Sequence, residues 1–93
     1  MIQSFKSKST EELWLTGKSK KLESTILRVA LRKLWQIDNA VALEDLKAPP
    51  NNRLEPLKAD RKGQYSIRIN NRWRVCFIWD EGHAYEIEIV DYH

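Results

Sequence analysis

Residues 65–90 read YSIRINNRWRVCFIWDEGHAYEIEIV, and their alternation decides the fold. Tyr65, Ile67 and Ile69 alternate with Ser66, Arg68 and Asn70; Trp73, Val75, Phe77 and Trp79 alternate with Arg74, Cys76 and Ile78; Tyr85, Ile87 and Ile89 alternate with Glu86, Glu88 and Val90. A period of two over such runs predicts three half-buried strands. Asn70-Asn71-Arg72 and Asp80-Glu81-Gly82 supply the turns, and Gly82 suits a left-handed position. Read as three-residue connections, they pair Ile69 with Trp73 and Ile67 with Val75 in the first hairpin. In the second they pair Phe77 with Tyr85 and Val75 with Ile87. A one-residue slip would set apolar residues opposite polar ones. On the other face Arg68 then lies opposite Arg74, and Arg74 opposite Glu88. Two facing arginines repel unless an anion offsets them.

Upstream of this sheet the period changes. Ile2–Phe5 suits a short first strand. A brief helix is expected over Thr10–Leu15, capped by Ser9 or Thr10 and ended by Gly17. The strongest helix runs from about Leu22 to Ile37, with Leu27, Ala30, Leu31 and Leu34 at i, i+3, i+4 and i+7 and Arg28, Arg32 and Lys33 on the remaining face. Val41–Leu46 suits another helical turn or two, and Pro49-Pro50-Asn51-Asn52 is a break. Trp14 and Trp35 read as core residues. The sum is a single α+β domain over residues 1–93, with helices on the apolar face of an antiparallel sheet and a basic polar face opposite.

Composition agrees. Ninety-three residues, 42% of them apolar, suffice for one core, and a chain of this size buries about 60–65% of its unfolded surface. No window approaches the ~20 apolar residues of a membrane span, and the opening residues lack a signal peptide's apolar region. A lone cysteine, Cys76, provides neither an internal disulfide nor a cysteine-based zinc site, and with two histidines in the chain a metal centre is not expected. The expectation is a cytoplasmic domain without cofactor or metal. Its net charge of +3 is unevenly spread. Residues 1–37 and 53–74 each carry +5, whereas residues 75–93 carry five acids and no Lys or Arg. Concentrated positive charge favours an anionic partner such as nucleic acid.

Two stretches carry candidate chemistry. From Arg53 to Gly63, Arg53, Lys58, Arg61 and Lys62 surround a turn made rigid by Pro56, with Glu55 and Asp60 among them. The chain's last residues, Asp91-Tyr92-His93, put three functional side chains at the end of a strand. Histidine, with a reference pKa of ~6.5, can act as acid or base near neutrality.

Met1-Ile2-Gln3-Ser4-Phe5, the run Arg53–Ile67, Asn71-Arg72-Trp73-Arg74-Val75 and the terminal Asp91-Tyr92-His93 together resemble the HigB branch of the RelE/ParE toxin superfamily, which includes the plasmid maintenance killer proteins such as GraT. The likeness spans the chain. It implies a RelE-like β-α-α-β-β-β fold and the toxin of a type II toxin-antitoxin system, a ribosome-dependent endoribonuclease that cuts mRNA in the A site. It also implies a HigA-like helix-turn-helix antitoxin as partner, through which alone operator DNA would be met. Lys58, Arg74, Asp91, Tyr92 and His93 match family positions implicated in cleavage. Glu55 stands where one member has a histidine three residues before the lysine, so the acid/base group differs there or His93 takes a larger share. Arg53, Arg61, Lys62 and Arg68 are the expected phosphate contacts. Two other readings keep the residues and change the class: a ParE-like inhibitor of DNA gyrase, and a non-catalytic nucleic-acid-binding module. The terminal Asp-Tyr-His disfavours the first.

Overall fold

A computed structural model describes residues 1–91 of the chain. Two helices, α1 (Lys8–Thr16) and α2 (Leu27–Asn39), pack against a four-stranded antiparallel sheet of β1 (Glu55–Pro56), β2 (Gln64–Arg68), β3 (Trp73–Asp80) and β4 (His83–Asp91), in the spatial order of the chain. Ile2 and Phe5 form parallel bridges to Ala84 and Ile87, so the N-terminal segment runs along β4. Glu55–Pro56, expected as part of a turn, is a short edge strand paired with Ser66 and Tyr65.

The core lies where alternation places it. Leu13, Ala30, Leu34 and Ile37 from the helices meet Ile67, Val75, Phe77, Ile87 and Ile89 from the sheet, all buried. Each large member contributes about 1.5–3 kcal/mol by leaving water. Gly17 closes α1 with φ +79°, its N–H donating to the Leu13 carbonyl, the left-handed ending that favours glycine. The cap at the other end is Ser7, whose hydroxyl accepts from the Thr10 N–H. Thr10 is instead buried inside the first turn, and its Oγ1 accepts from the Ile89 N–H at 3.0 Å. That bond ties α1 to β4.

The first hairpin has the expected register, with Ile67 opposite Val75 and Arg68 opposite Arg74. The second does not. Asp80 pairs with His83, leaving a two-residue turn in which Glu81 and Gly82 both have positive φ. Twist-matched two-residue turns of this kind suit hairpins better than the longer connection expected. An irregularity between Cys76 and Ile78 then adds one residue to β4, where Glu86 has φ +52°. Beyond it Val75 faces Ile89, Cys76 faces Glu88, and Arg74 faces Val90. The turn shifts the register by one residue and the bulge by another, so the apolar parity survives while the Arg74–Glu88 pairing does not.

Three further expectations change. The second helix begins as a 3-10 turn at Ser24–Ile26 and becomes α-helical at Leu27. Lys33, assigned to its solvated face, is 4% exposed, and its ammonium donates to Asn52 Oδ1 at 2.6 Å. Trp35 is 53% exposed, with its ring 5.1 Å from that of half-buried Trp14. A single stripe cannot bury both Trp35 and Lys33, and the polar partner on the crossover draws the lysine in.

Replacing Thr10 by valine keeps the shape but strands the buried Ile89 N–H. The expected loss is about 1–3 kcal/mol, measured by urea unfolding. Burial, then the charges of Arg32 and Arg68, lower the Lys33 pKa below its ordinary value. The unfolded chain therefore binds more protons than the native one between the depressed pKa and the ordinary lysine value, and stability from this group rises with pH across that window. The melting temperature of wild type relative to Lys33→Met should accordingly climb as pH approaches 10; a pH-independent difference would refute it.

Candidate active site

Alternation sends Ser66, Arg68, Arg74, Cys76 and Glu88 to the face away from the helices. This face is not the bare basic surface expected, because Ser66 and Cys76 are fully buried. The segment after β1 folds over them. Leu57 is buried on it, and Arg61 reaches across β2 and β3 to donate to Glu88 Oε1 at 3.2 Å. Arg61 also donates to Gln64 Oε1 at 3.2 Å, and the Lys6 ammonium lies 4.0 Å from the same Glu88 oxygen. Burial pushes the Cys76 thiol pKa up, which suits packing rather than nucleophilic chemistry.

Arg74 is the organising cation. Its Nη1 donates to Ser66 Oγ at 2.9 Å and to the Arg53 carbonyl at 3.4 Å, and lies 3.4 Å from Glu55 Oε1. Its side chain is 12% exposed, whereas that of Glu55 is 45% exposed. The facing Arg68 hydrogen-bonds Asn71 Oδ1. Beside Arg74 and Glu55, a hollow of about 330 Å³ is lined by Glu55, Pro56, Leu57, Lys58 and Arg61. The exposed Lys58 precedes the 3-10 turn Ala59–Arg61. Thus Glu55, Lys58, Arg61 and Arg74 come together, with a carboxylate among three cations.

The other expected residues are placed differently. Arg53 and Lys62 are exposed on the rims of this segment. Asp91 pairs with Trp73, on the helix-facing parity and not that of Arg74. Its Oδ2 accepts from Arg72 Nε at 2.9 Å and Nη2 at 2.7 Å, and this hydrogen bonding raises the Arg72 pKa. The same guanidinium lies 5.6 Å from the Trp73 ring centroid, within cation–π range. Tyr92 and His93 lie outside the described residues. Ser66 was missed by sequence reasoning, although its parity with Arg74 was already legible there. The Arg72–Asp91 pair needed the β4 register, which the bulge concealed.

Among the described residues no helix is long and apolar enough to cross a membrane. Over residues 3–93 the chain matches the family model of HigB-like toxins, described as RelE-like toxins of the type II toxin-antitoxin system HigB. The chain belongs to the HigB-like toxin family. Toxin HigB-1 of Vibrio cholerae is 40% identical over 85 residues, covering 90% of each chain. Endoribonuclease HigB of Proteus vulgaris is 33% identical over 93 residues, the full length of both. The fold is also similar to that of solved RelE-like toxins. In the YoeB–YefM complex from Staphylococcus aureus the matched chain has a TM-score of 0.62 at 22% identity, covering 100% of this chain and 98% of that one. A YafQ mutant from E. coli has a TM-score of 0.60 at 12% identity, covering 94% and 91%. This HigB-like chain therefore has the RelE-like architecture expected from its sequence.

The geometry predicts unequal stability costs for the two partners of the central ion pair. Arg74→Ala leaves the buried Ser66 hydroxyl without its charged donor and should cost about 1–3 kcal/mol. Glu55→Gln, at an exposed carboxylate, should stay within about 1 kcal/mol of wild type. Paired urea titrations measure both; equal losses would contradict the arrangement.

Proposed function

We propose that this HigB-like chain is an endoribonuclease that cleaves mRNA on the ribosome, at the A site, as the toxin of a type II toxin-antitoxin pair. One observation carries the reading: Arg74, anchored by Ser66 Oγ, pairs with Glu55, and Glu55 lines a hollow together with Lys58 and Arg61. The full-length likeness to a protein named Endoribonuclease HigB supports it.

The chemistry follows from what each group can do. Glu55 accepts the proton of the 2′-OH, whose oxygen attacks the adjacent phosphorus. The P–O5′ bond breaks, and His93 supplies the proton the leaving oxygen takes up. The phosphate passes through a state with one more negative charge, which Arg74 stabilises from a fixed position and the exposed Lys58 by reaching to it. Arg53, Arg61, Lys62 and Arg68 hold flanking phosphates, with Arg61 limited in reach by its bond to Glu88. Tyr92 stacks on a base, and Asp91 acts at one remove by holding Arg72 in place. A small site with an exposed rim has little means to orient free RNA, so the ribosome presents the substrate. A HigA-like helix-turn-helix antitoxin neutralises the toxin in the cytoplasm, and operator DNA is met only through that partner.

Primer extension on mRNA from expressing cells should show new 5′ ends within translated codons. Equal cutting of naked RNA, or growth arrest through gyrase with mRNA intact, would overturn the reading. Arg74→Ala should lower the single-turnover cleavage rate on programmed ribosomes by about 10²–10³, the range for losing one preorganised donor, and Lys58→Ala should lower it as well.

A further inference from the structure

The crossover from α2 to β1 contains a polar group that the cleavage chemistry does not use. Asn52 is fully buried, and so, nearly, is Lys33 on α2. Both polar atoms of the Asn52 amide are engaged, the two N–H groups being shared among three acceptors. Its Oδ1 accepts from Lys33 Nζ at 2.6 Å, and its Nδ2 donates to Gln36 Oε1 at 3.0 Å, the Leu46 carbonyl at 3.1 Å and the Ala48 carbonyl at 3.2 Å. Reversing the amide would set its N–H groups against the ammonium and its oxygen against three acceptors, so only one orientation is allowed.

A buried lysine paired with a neutral amide is an expensive way to fasten a loop. An apolar pair of similar volume would serve packing at least as well. What the polar pair adds is direction. The next residue, Arg53, has φ +46° and ψ +53°, a left-handed conformation that a non-glycine residue keeps only when its surroundings over-determine it. In that conformation its carbonyl accepts from Arg74 Nη1, and two residues on Glu55 Oε1 lies 3.4 Å from the same nitrogen. The clamp on Asn52 is therefore one peptide away from a group that aims the central cation.

We propose that Lys33 and Asn52 are positioning residues that hold Arg53 left-handed so that its carbonyl, and Glu55 after it, fix the Arg74 guanidinium in the site. Lys33 touches no substrate and acts through two intermediates. The site would then extend its control into α2, through the helix face that carries Lys33 and Gln36.

The rate half of this proposal rests on the ribosome-dependent cleavage proposed above; the geometric half does not. Lys33→Met keeps the volume and removes the ammonium. The Arg74 guanidinium N–H signals in nitrogen-15 NMR spectra read its anchoring without any substrate. We expect Lys33→Met to remain folded, with those signals broadened. Its single-turnover cleavage rate should fall at least tenfold, at a half-saturating ribosome concentration within twofold of wild type. A loss of packing alone would lower the melting temperature and leave the rate of the folded fraction unchanged. Combined with Arg53→Gly, which reaches the left-handed region unaided, Lys33→Met should cost less than it does in the wild-type background. If Lys33→Met does not fold, Gln36→Met removes one acceptor at the half-buried helix surface and carries the same measurements. Unchanged Arg74 signals and an unchanged rate in a folded variant would overturn the proposal. Broadened signals in a chain whose wild type cuts nothing on ribosomes would leave the positioning role standing and remove the cleavage reading.

Discussion

One sheet face must be dry, and the molecule is organised by that requirement. Ile67, Val75, Phe77, Ile87 and Ile89 come from three strands and have to share the surface beneath α1 and α2. Side chains alternate across a strand, so fixing this set fixes the opposite one. Ser66, Arg74, Cys76 and Glu88 are thereby delivered together to the far face. The bulge at Glu86 is part of the same solution. The tight turn at Glu81-Gly82 starts β4 out of phase, and one extra residue restores Ile87 and Ile89 to the core.

What the far face does with its polar residues follows from cost. A guanidinium and a hydroxyl at the centre of a sheet lose water and need partners. The segment after β1 closes over them, with Arg61 fastened to Glu88 and Leu57 buried. Arg74 then finds Ser66, the Arg53 carbonyl and Glu55. The cation is held before any ligand arrives, which is the condition under which a fixed charge stabilises a developing one most effectively. Its neighbour Lys58 is exposed beside the hollow instead, where it can meet an incoming phosphate. The two cations thus differ in kind, one preorganised and one reaching.

The helical layer does more than cover the sheet. Thr10 fastens β4 through the Ile89 N–H, and Asp38 accepts from the Ile2 N–H, so both helices grip the sheet edge that the N-terminal segment extends. Lys33 grips the other side through Asn52. Such polar contacts, buried or half-buried, contribute little net stability, and the buried ones cost much when half of one is removed. They fix where elements sit more than how strongly they hold.

Much of this was written in the chain. The period of two over residues 65–90, the i, i+3, i+4 stripe ending at Leu34, and Gly17 determined the α+β class and the first hairpin. The run from Arg53 to Lys62 and Arg74 carried the candidate site. Those signals are local, because they depend on alternation and on backbone freedom at single residues. Tertiary structure decided the rest. A bulge has no sequence mark of its own, since its extra residue only has to restore parity, so Arg74 pairs with Glu55 and not with Glu88. Lys33 looked solvated because a helical stripe reports its apolar neighbours and says nothing of a buried amide 19 residues away. Partners far apart in sequence are chosen by which groups lose water together, and only the folded chain determines that.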